Sequence, residues 1–459
     1  MDPRILILIG VAGYIVLILG IGWRASRRIQ NDKDFIIAGG RLGWALSIGT
    51  IFATWFGAET CMGSSGTAFQ KGILGVIADP FGAGLCLILA GLFFAKKFKE
   101  RNYETIIDFF EDRYGIRVAK IFSVVYLPVY LGWIGAQLLA FGFILNSLTG
   151  FPLLPSVLIA TGVVLVYTFL GGMWADTMAD FFQMFIILAG LLVLFPILVK
   201  DLGGFGAIRA KIPDSFFHFY PHDRSPASWL HYVQAWMMVG IGSLAAQDLF
   251  SRIMAAKNVT ISRGSAIVSG LLYITIGLIP VLLGIFGRIA ILESSGESIL
   301  IELALKYLSP LLIALLVGAL LGAIMSSADS AILAPSSIIG HNIVPLIKPD
   351  ASEKLKLTAC RMSVPFLGII SLVLALYFKS VYRLAQESWG ILLVGIAAPM
   401  ILGVYWKKTT ASGALTGCAC GVAAWIGMKV FYPDSPGNLI GFFVSLAATA
   451  LVSLAPKKD

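Results

Sequence analysis

Ala53-Thr54-Trp55-Phe56-Gly57-Ala58-Glu59-Thr60-Cys61-Met62-Gly63-Ser64-Ser65-Gly66 lies inside an apolar run long enough to cross a bilayer, yet it carries three glycines, two threonines, two serines and a glutamate. Glycine weakens a helix by about 1 kcal/mol relative to alanine. Here the weak points bracket the polar atoms, which predicts an unwound segment near Trp55 to Gly57 with carbonyls freed for a ligand. Such a break is tolerated within a membrane only where it lines a cavity or is buried in protein.

A second interruption occurs five spans later, at Gly240-Ile241-Gly242-Ser243 followed by Ala246-Gln247-Asp248 and the basic Arg252. Paired interruptions at corresponding places in two halves point to an inverted-repeat transporter with its site near the midplane. An offset of five helices gives the two repeats opposite topology. They would occupy 42–199 and 228–405, with 1–41 and 406–459 peripheral to one transmembrane domain covering 1–459.

The composition supports a polytopic all-α membrane protein: 58% of the 459 residues are hydrophobic and 13% charged, about half the charged fraction of soluble domains. A 30 Å hydrocarbon layer needs roughly 20 apolar residues per helix. That measure gives 13 spans, near 4–23, 42–66, 74–95, 118–146, 155–172, 176–199, 228–250, 262–292, 307–334, 359–378, 383–405, 411–431 and 438–455. The first reads as a retained span, because it lacks a basic start and a small-residue cleavage site. The net charge of +9 resides in short clusters between spans, such as Lys96, Lys97, Lys99 and Arg101. This pattern speaks for the positive-inside rule, with the amino terminus outside and the carboxyl terminus inside, and against nucleic acid as a partner. The expected location is the plasma (inner) membrane, with the bilayer itself as a partner.

The five cysteines are odd in number and lie in or beside apolar segments, giving neither a disulfide framework nor a zinc pattern. His218 and His222, four apart among aromatics, read as part of a wet loop more readily than as a metal site. No nucleophile motif, phosphate loop or His/Cys cluster lies within the spans, so an enzyme is not expected.

The ninth span holds Gly322-Ala323-Ile324-Met325-Ser326-Ser327-Ala328-Asp329-Ser330. On a helix Ser326 shares a face with Asp329 and Ser330, and Ser327 stacks one turn after Ala323. A carboxylate at the centre of a membrane helix costs about 2.5–3.5 kcal/mol and needs a partner. The expected partner is sodium, a hard cation that takes several oxygens. Asp180, early in the sixth span, is a further intramembrane acid, and Tyr167-Thr168-Phe169-Leu170-Gly171-Gly172-Met173-Trp174 turns the chain before it.

Ala53-Thr54-Trp55, Leu170-Gly171-Gly172 with Asp180 and Gln183, Gln247 to Arg252, and Ala323 to Ser330 together resemble the sodium:solute symporter family, with its proline, sugar, sialic acid and choline carriers. The likeness runs to about residue 408, and the choline carriers look nearest. It implies a LeuT-type core of ten helices in two inverted repeats with helices 2 and 7 broken, and sodium as coupling ion. It further implies a main sodium site from the carbonyls of Ala53, Phe56 and Ala323 and the hydroxyls of Ser326 and Ser327. A second sodium site would draw on Asp180, Ser326, Asp329 and Ser330, although Asp329 stands where the sialic acid carriers have serine.

The expected activity is sodium-coupled symport of a small polar solute (an amine, a zwitterion or amino acid, or a sugar-like molecule) in a pocket around Trp55, Glu59, Gln247 and Trp133. A quaternary amine needs aromatic faces. Where the resemblance implies tryptophan in choline carriers, this chain has Ala246 and Ala385, so half of that cage is missing. A sensor or a channel on the same fold remains open. Each residue also has a plain structural reading: serines can bond a carbonyl one turn back, Asp180 and Asp329 can pair with a basic residue, Glu59 can be a vestibule charge, and Trp133 can be core.

Overall fold

The computed structural model describes residues 31–455 except 224, 293, 295 and 379, together with 9, 10, 12–14, 16, 17, 20, 21, 23, 24, 27 and 29; for 170, 171 and 175 it describes the backbone alone. Much of the expected first span, and residues 456–459, lie outside this set. Among the described residues the chain is all-helical, without a β-strand. Nine helices among the described residues are long and apolar enough to cross a membrane: Ile73–Lys99, Ile116–Thr149, Gly172–Asp201, Val259–Ala290, Pro310–Ile347, Glu353–Phe378, Val381–Tyr405, Ala411–Phe431 and Gly437–Leu454. Trp44–Trp55 and Leu153–Phe169 are shorter apolar helices.

Both expected interruptions are present. The helix Trp44–Trp55 stops at Phe56 (φ −79°, ψ 57°), and a wider-wound segment, Glu59–Ser64, resumes the path after Gly57 and Ala58. The helix Pro226–Gly240 gives way to a tight turn, Gly242–Ala245, then to an extended Ala246 (φ −74°, ψ 132°), before Gln247–Ala255. Buried polar backbone at both places is what the local glycines permit and the surrounding protein shields.

Gly172 makes the corner between the fifth and sixth spans with φ +55°, a left-handed value that favours glycine. A Cβ there would also come within 2.5 Å of the Phe35 ring. Phe35 belongs to the short helix Asp32–Ile37, which begins with Asn31 accepting from the Asp34 amide at 2.8 Å.

The two ends of the bundle are marked by distinct contacts. At one end, Gly66 abuts Gly296 and Glu297 meets Ser380. At the other, Leu42 and Ala256 form an isolated parallel bridge, with Leu42 N–H bonded to the Ala255 carbonyl at 2.9 Å and Lys257 N–H to the Leu42 carbonyl at 2.8 Å. Lys99 adds a bond to the Met254 carbonyl at 2.6 Å at this end.

Candidate functional site

At the first break the Gly57 N–H, which an unbroken helix would return to the Ala53 carbonyl, bonds the Trp55 carbonyl instead at 2.9 Å. The Ala53 carbonyl thereby loses its helical donor, and the Phe56 peptide is turned off the helix axis. The ninth span packs directly against this opening. Ser327 donates its hydroxyl to the Thr54 carbonyl at 2.8 Å, and a Cβ on Gly57 would lie 2.0 Å from Ser327 Oγ. Glycine is therefore required for the close approach. Ser327 thus lies against the Thr54 carbonyl and Gly57, beside Ala53 and Phe56 in the chain, with Ala323 one turn before Ser327 on the same buried helix.

Beside this junction lies a cluster of buried acids. Asp180 accepts from Ser326 and, at 2.6 Å, from Thr50. Asp176 forms an ion pair with Arg252 and accepts from Ser330 at 3.1 Å. The same guanidinium reaches Ser330, and its Nε donates to Thr54 Oγ1 at 2.6 Å. Asp329 lies fully buried beside Thr168 and Asp176. Of the four residues expected to form a second ion site, Ser326 thus meets Asp180, whereas Ser330 is engaged by Arg252 and Asp176. Three carboxylates, Asp176, Asp180 and Asp329, face one guanidinium, an arrangement that invites further positive charge.

On the other side of the break lies an aromatic box. Trp55 and Trp389 stack with centroids 5.9 Å apart, and Trp133 meets Trp389 at 4.8 Å. Glu59 accepts from Gln386 at 2.8 Å and from the Trp389 indole at 3.0 Å. Asp79 accepts from Thr60 at 2.8 Å, Tyr273 at 2.9 Å and Ser64 at 3.0 Å. Trp55, Glu59, Asp79, Trp133, Tyr273 and Trp389 line one small space of about 10 Å³, too little for a solute.

Gln247 does not join this box. Its side chain accepts from the Ile106 amide at 2.7 Å and donates to Ser251 at 2.9 Å, capping a helix on the opposite side. The next residue, Asp248, takes the place expected of it, accepting from Trp55 at 2.8 Å and Tyr130 at 2.9 Å. Helical periodicity carries no direction for the first residue after a break, so the sequence could not separate these neighbours. Asp79 had a visible signal, an acid before Pro80 inside an apolar run. Trp389 had one too, one turn after Ala385 on the same face of the helix Val381–Leu392.

A cavity of about 460 Å³ reaches the box from one end of the bundle, lined by Lys71, Glu297, Ser380, Tyr382, Arg383 and Gln386 among others. Gln386 lines this vestibule and also donates to Glu59, so it links the two spaces. Burial pushes the Glu297 carboxyl up to about 7, against the pull of hydrogen bonds from Ser380 and the Val381 amide.

Known proteins share this sequence pattern and fold. The chain is 28% identical over 448 residues to the High-affinity choline transporter 1 of Caenorhabditis elegans, covering 90% of this chain and 76% of that one. It is 28% identical over 464 residues to the High-affinity proline transporter PutP of Bacillus subtilis (strain 168), covering 95% of each. A solved Na+-coupled sialic acid symporter in a substrate-bound outward-open state superposes with a TM-score of 0.85 at 17% identity, covering 98% of both chains. MhsT in complex with L-phenylalanine gives a TM-score of 0.59 at 14% identity, covering 90% of this chain and 98% of that one, which extends the likeness in fold. Residues 35–421 match the model of the sodium:solute symporter family; the chain belongs to that family, and its coupling ion is sodium.

Proposed function

We propose that this protein is a sodium-driven symporter of a small organic cation or amine, working by alternating access at the plasma membrane. The observation that carries this reading is the convergence of three tryptophans on the buried Glu59 carboxylate. Aromatic faces and a desolvated carboxylate attract a quaternary or protonated amine far more strongly than an anion or a sugar. Trp389 supplies from residue 389 the ring absent at Ala385.

In this reading sodium binds the carbonyls of Ala53, Phe56 and Ala323 and the hydroxyls of Ser326 and Ser327, where the freed Ala53 carbonyl and the Ser327–Thr54 contact support the assignment. Neutral oxygens hold the ion loosely enough to release it inside. Occupancy pins the second span to the ninth and so completes the neighbouring box through Trp55 and Glu59. Asp180 and Asp329 are left to attract a second cation. An inward potential of 100 mV contributes roughly 2.3 kcal/mol per charge, and a tenfold sodium gradient about 1.4 more, so one ion sustains a gradient of roughly several hundredfold for a neutral solute and a larger one for a cation, which the same potential draws inward.

The organisation proposed is 13 spans, amino terminus out and carboxyl terminus in, with inverted repeats at 42–199 and 228–405 flanked by 1–41 and 406–459. The two matching interruptions support it, as does the pairing of Leu42, which precedes the first broken helix, with Ala255, which ends the second. The test is uptake of labelled choline, betaine, proline and glucose into proteoliposomes with an imposed sodium gradient. Saturable amine uptake that vanishes when potassium replaces sodium supports the proposal, whereas passive conductance or uptake of glucose alone overturns it.

A further inference from the structure

At the end of the bundle away from the vestibule, four titratable groups from three distant segments meet around His341. Asp32 comes from the helix Asp32–Ile37, Glu104 and Asp108 from the approach to and first turn of the helix Ile106–Tyr114, and His341 from the end of the ninth span. Both Asp32 Oδ2, at 2.9 Å, and Glu104 Oε2, at 3.7 Å, face the same ring nitrogen, His341 Nδ1. The other nitrogen, Nε2, faces Asp108 Oδ1 at 3.6 Å. Lys33 approaches the outer oxygen of Glu104 at 3.7 Å, and Lys356 with Glu353 stands at the margin of the group.

A proton on Nδ1 can serve only one of the two carboxylates. It would satisfy Asp32 and leave Glu104 Oε2, a buried oxygen without a hydrogen-bond partner, with only a charge contact at 3.7 Å. A metal ion on the Nδ1 lone pair serves both. The ligand atoms of Asp32, Glu104 and His341 lie within 4.8 Å of one another, and ligands of a tetrahedral zinc ion at about 2.0–2.2 Å sit roughly 3.4 Å apart. Asp108 stands where a metal-bound histidine needs a carboxylate for its remaining N–H, and it is itself held by Asn342 at 2.8 Å and by the Glu104 and Thr105 amides at 2.8 and 2.9 Å.

We propose that Asp32, Glu104 and His341 form a binding site for a divalent transition metal of the zinc class, oriented by Asp108. An imidazole nitrogen with two carboxylates selects such an ion over magnesium or calcium, and the two acids balance its charge. The bound ion ties the helix Asp32–Ile37, the segment before Ile106 and the end of the ninth span together. It therefore restrains the bundle from opening at this end.

The test uses zinc itself with the full-length protein in detergent and in proteoliposomes. Metal content after dialysis, and the zinc-dependent rise in Tm with its reversal by EDTA, are measured for wild type, His341→Gln, Glu104→Gln and the double variant His218→Gln/His222→Gln. The expected result is one equivalent of zinc in wild type and in the double variant, at least tenfold weaker binding in His341→Gln and Glu104→Gln, and zinc inhibition of uptake that those two variants lose. A sodium-dependent Tm rise retained by each variant shows that it is folded. Wild type that retains no zinc, or His341→Gln that retains it as wild type does, overturns the proposal; so does binding abolished only by the His218/His222 change.

Discussion

The indole N–H of Trp389 donates to Glu59 at 3.0 Å, joining residues 330 positions apart into one wall of the solute box. Glu59→Gln keeps the size of the side chain and removes its charge. Binding of cationic amines is expected to weaken at least tenfold, about 1.4 kcal/mol, while the sodium-dependent Tm shift persists. Titration of amines against the purified protein checks this.

Ser327→Ala removes the hydroxyl that reaches the Thr54 carbonyl. Half-maximal sodium is expected to rise at least tenfold with little change in Tm without sodium. Uptake as a function of sodium at constant ionic strength, with choline-free salts as replacement, provides the measurement.

Gly57→Ala places a methyl group 2.0 Å from Ser327 Oγ. Overpacking of this kind costs about 1–3 kcal/mol. Here it also pushes the second and ninth spans apart, so sodium-driven uptake should fall below a tenth of wild type. Restoring space with Gly57→Ala/Ser327→Gly should recover the Tm but not the sodium response.

Arg252→Ala leaves Asp176 buried without its cation. Losing one partner of a buried pair costs roughly 3–5 kcal/mol, so the variant should unfold several degrees lower in detergent. Arg252→Lys should recover only part of the loss, because a single ammonium cannot reach Asp176, Ser330 and Thr54 together.

Glu297, in the vestibule, has its carboxyl pushed by burial from 4.5 to about 7. A folded-state value above the unfolded one means that the associated stability is complete below about 4.5 and is lost as pH rises through about 7. Tm should therefore decline between pH 5 and 8, and Glu297→Gln should flatten that slope. Thermal denaturation across this range is the readout.

The position of the first break was legible because Gly57 and Gly63 weaken the helix among polar residues, and the structure stops the helix at Trp55. Ser327 was singled out by the paired hydroxyls Ser326-Ser327 in the ninth span, and the structure sets it against the Thr54 carbonyl. The exchange of roles between Gln247 and Asp248 was not, since it depends on backbone angles at Ala246 that no hydrophobic period encodes. Trp389, Asp79 and the His341 cluster escaped for another reason. Trp389 and His341 acquire their roles from partners 330 and 309 residues away, and Asp79 draws on Tyr273, 194 residues on, as well as on nearby Thr60 and Ser64; composition carries no information about which spans become neighbours.

The bridge between Leu42 and Ala256 yokes the entrance of one interrupted helix to the exit of the other through two main-chain bonds, which among substitutions only proline at 42 or 257 would remove. The two broken helices are thereby fastened to each other, backbone to backbone, at the end of the bundle away from the vestibule.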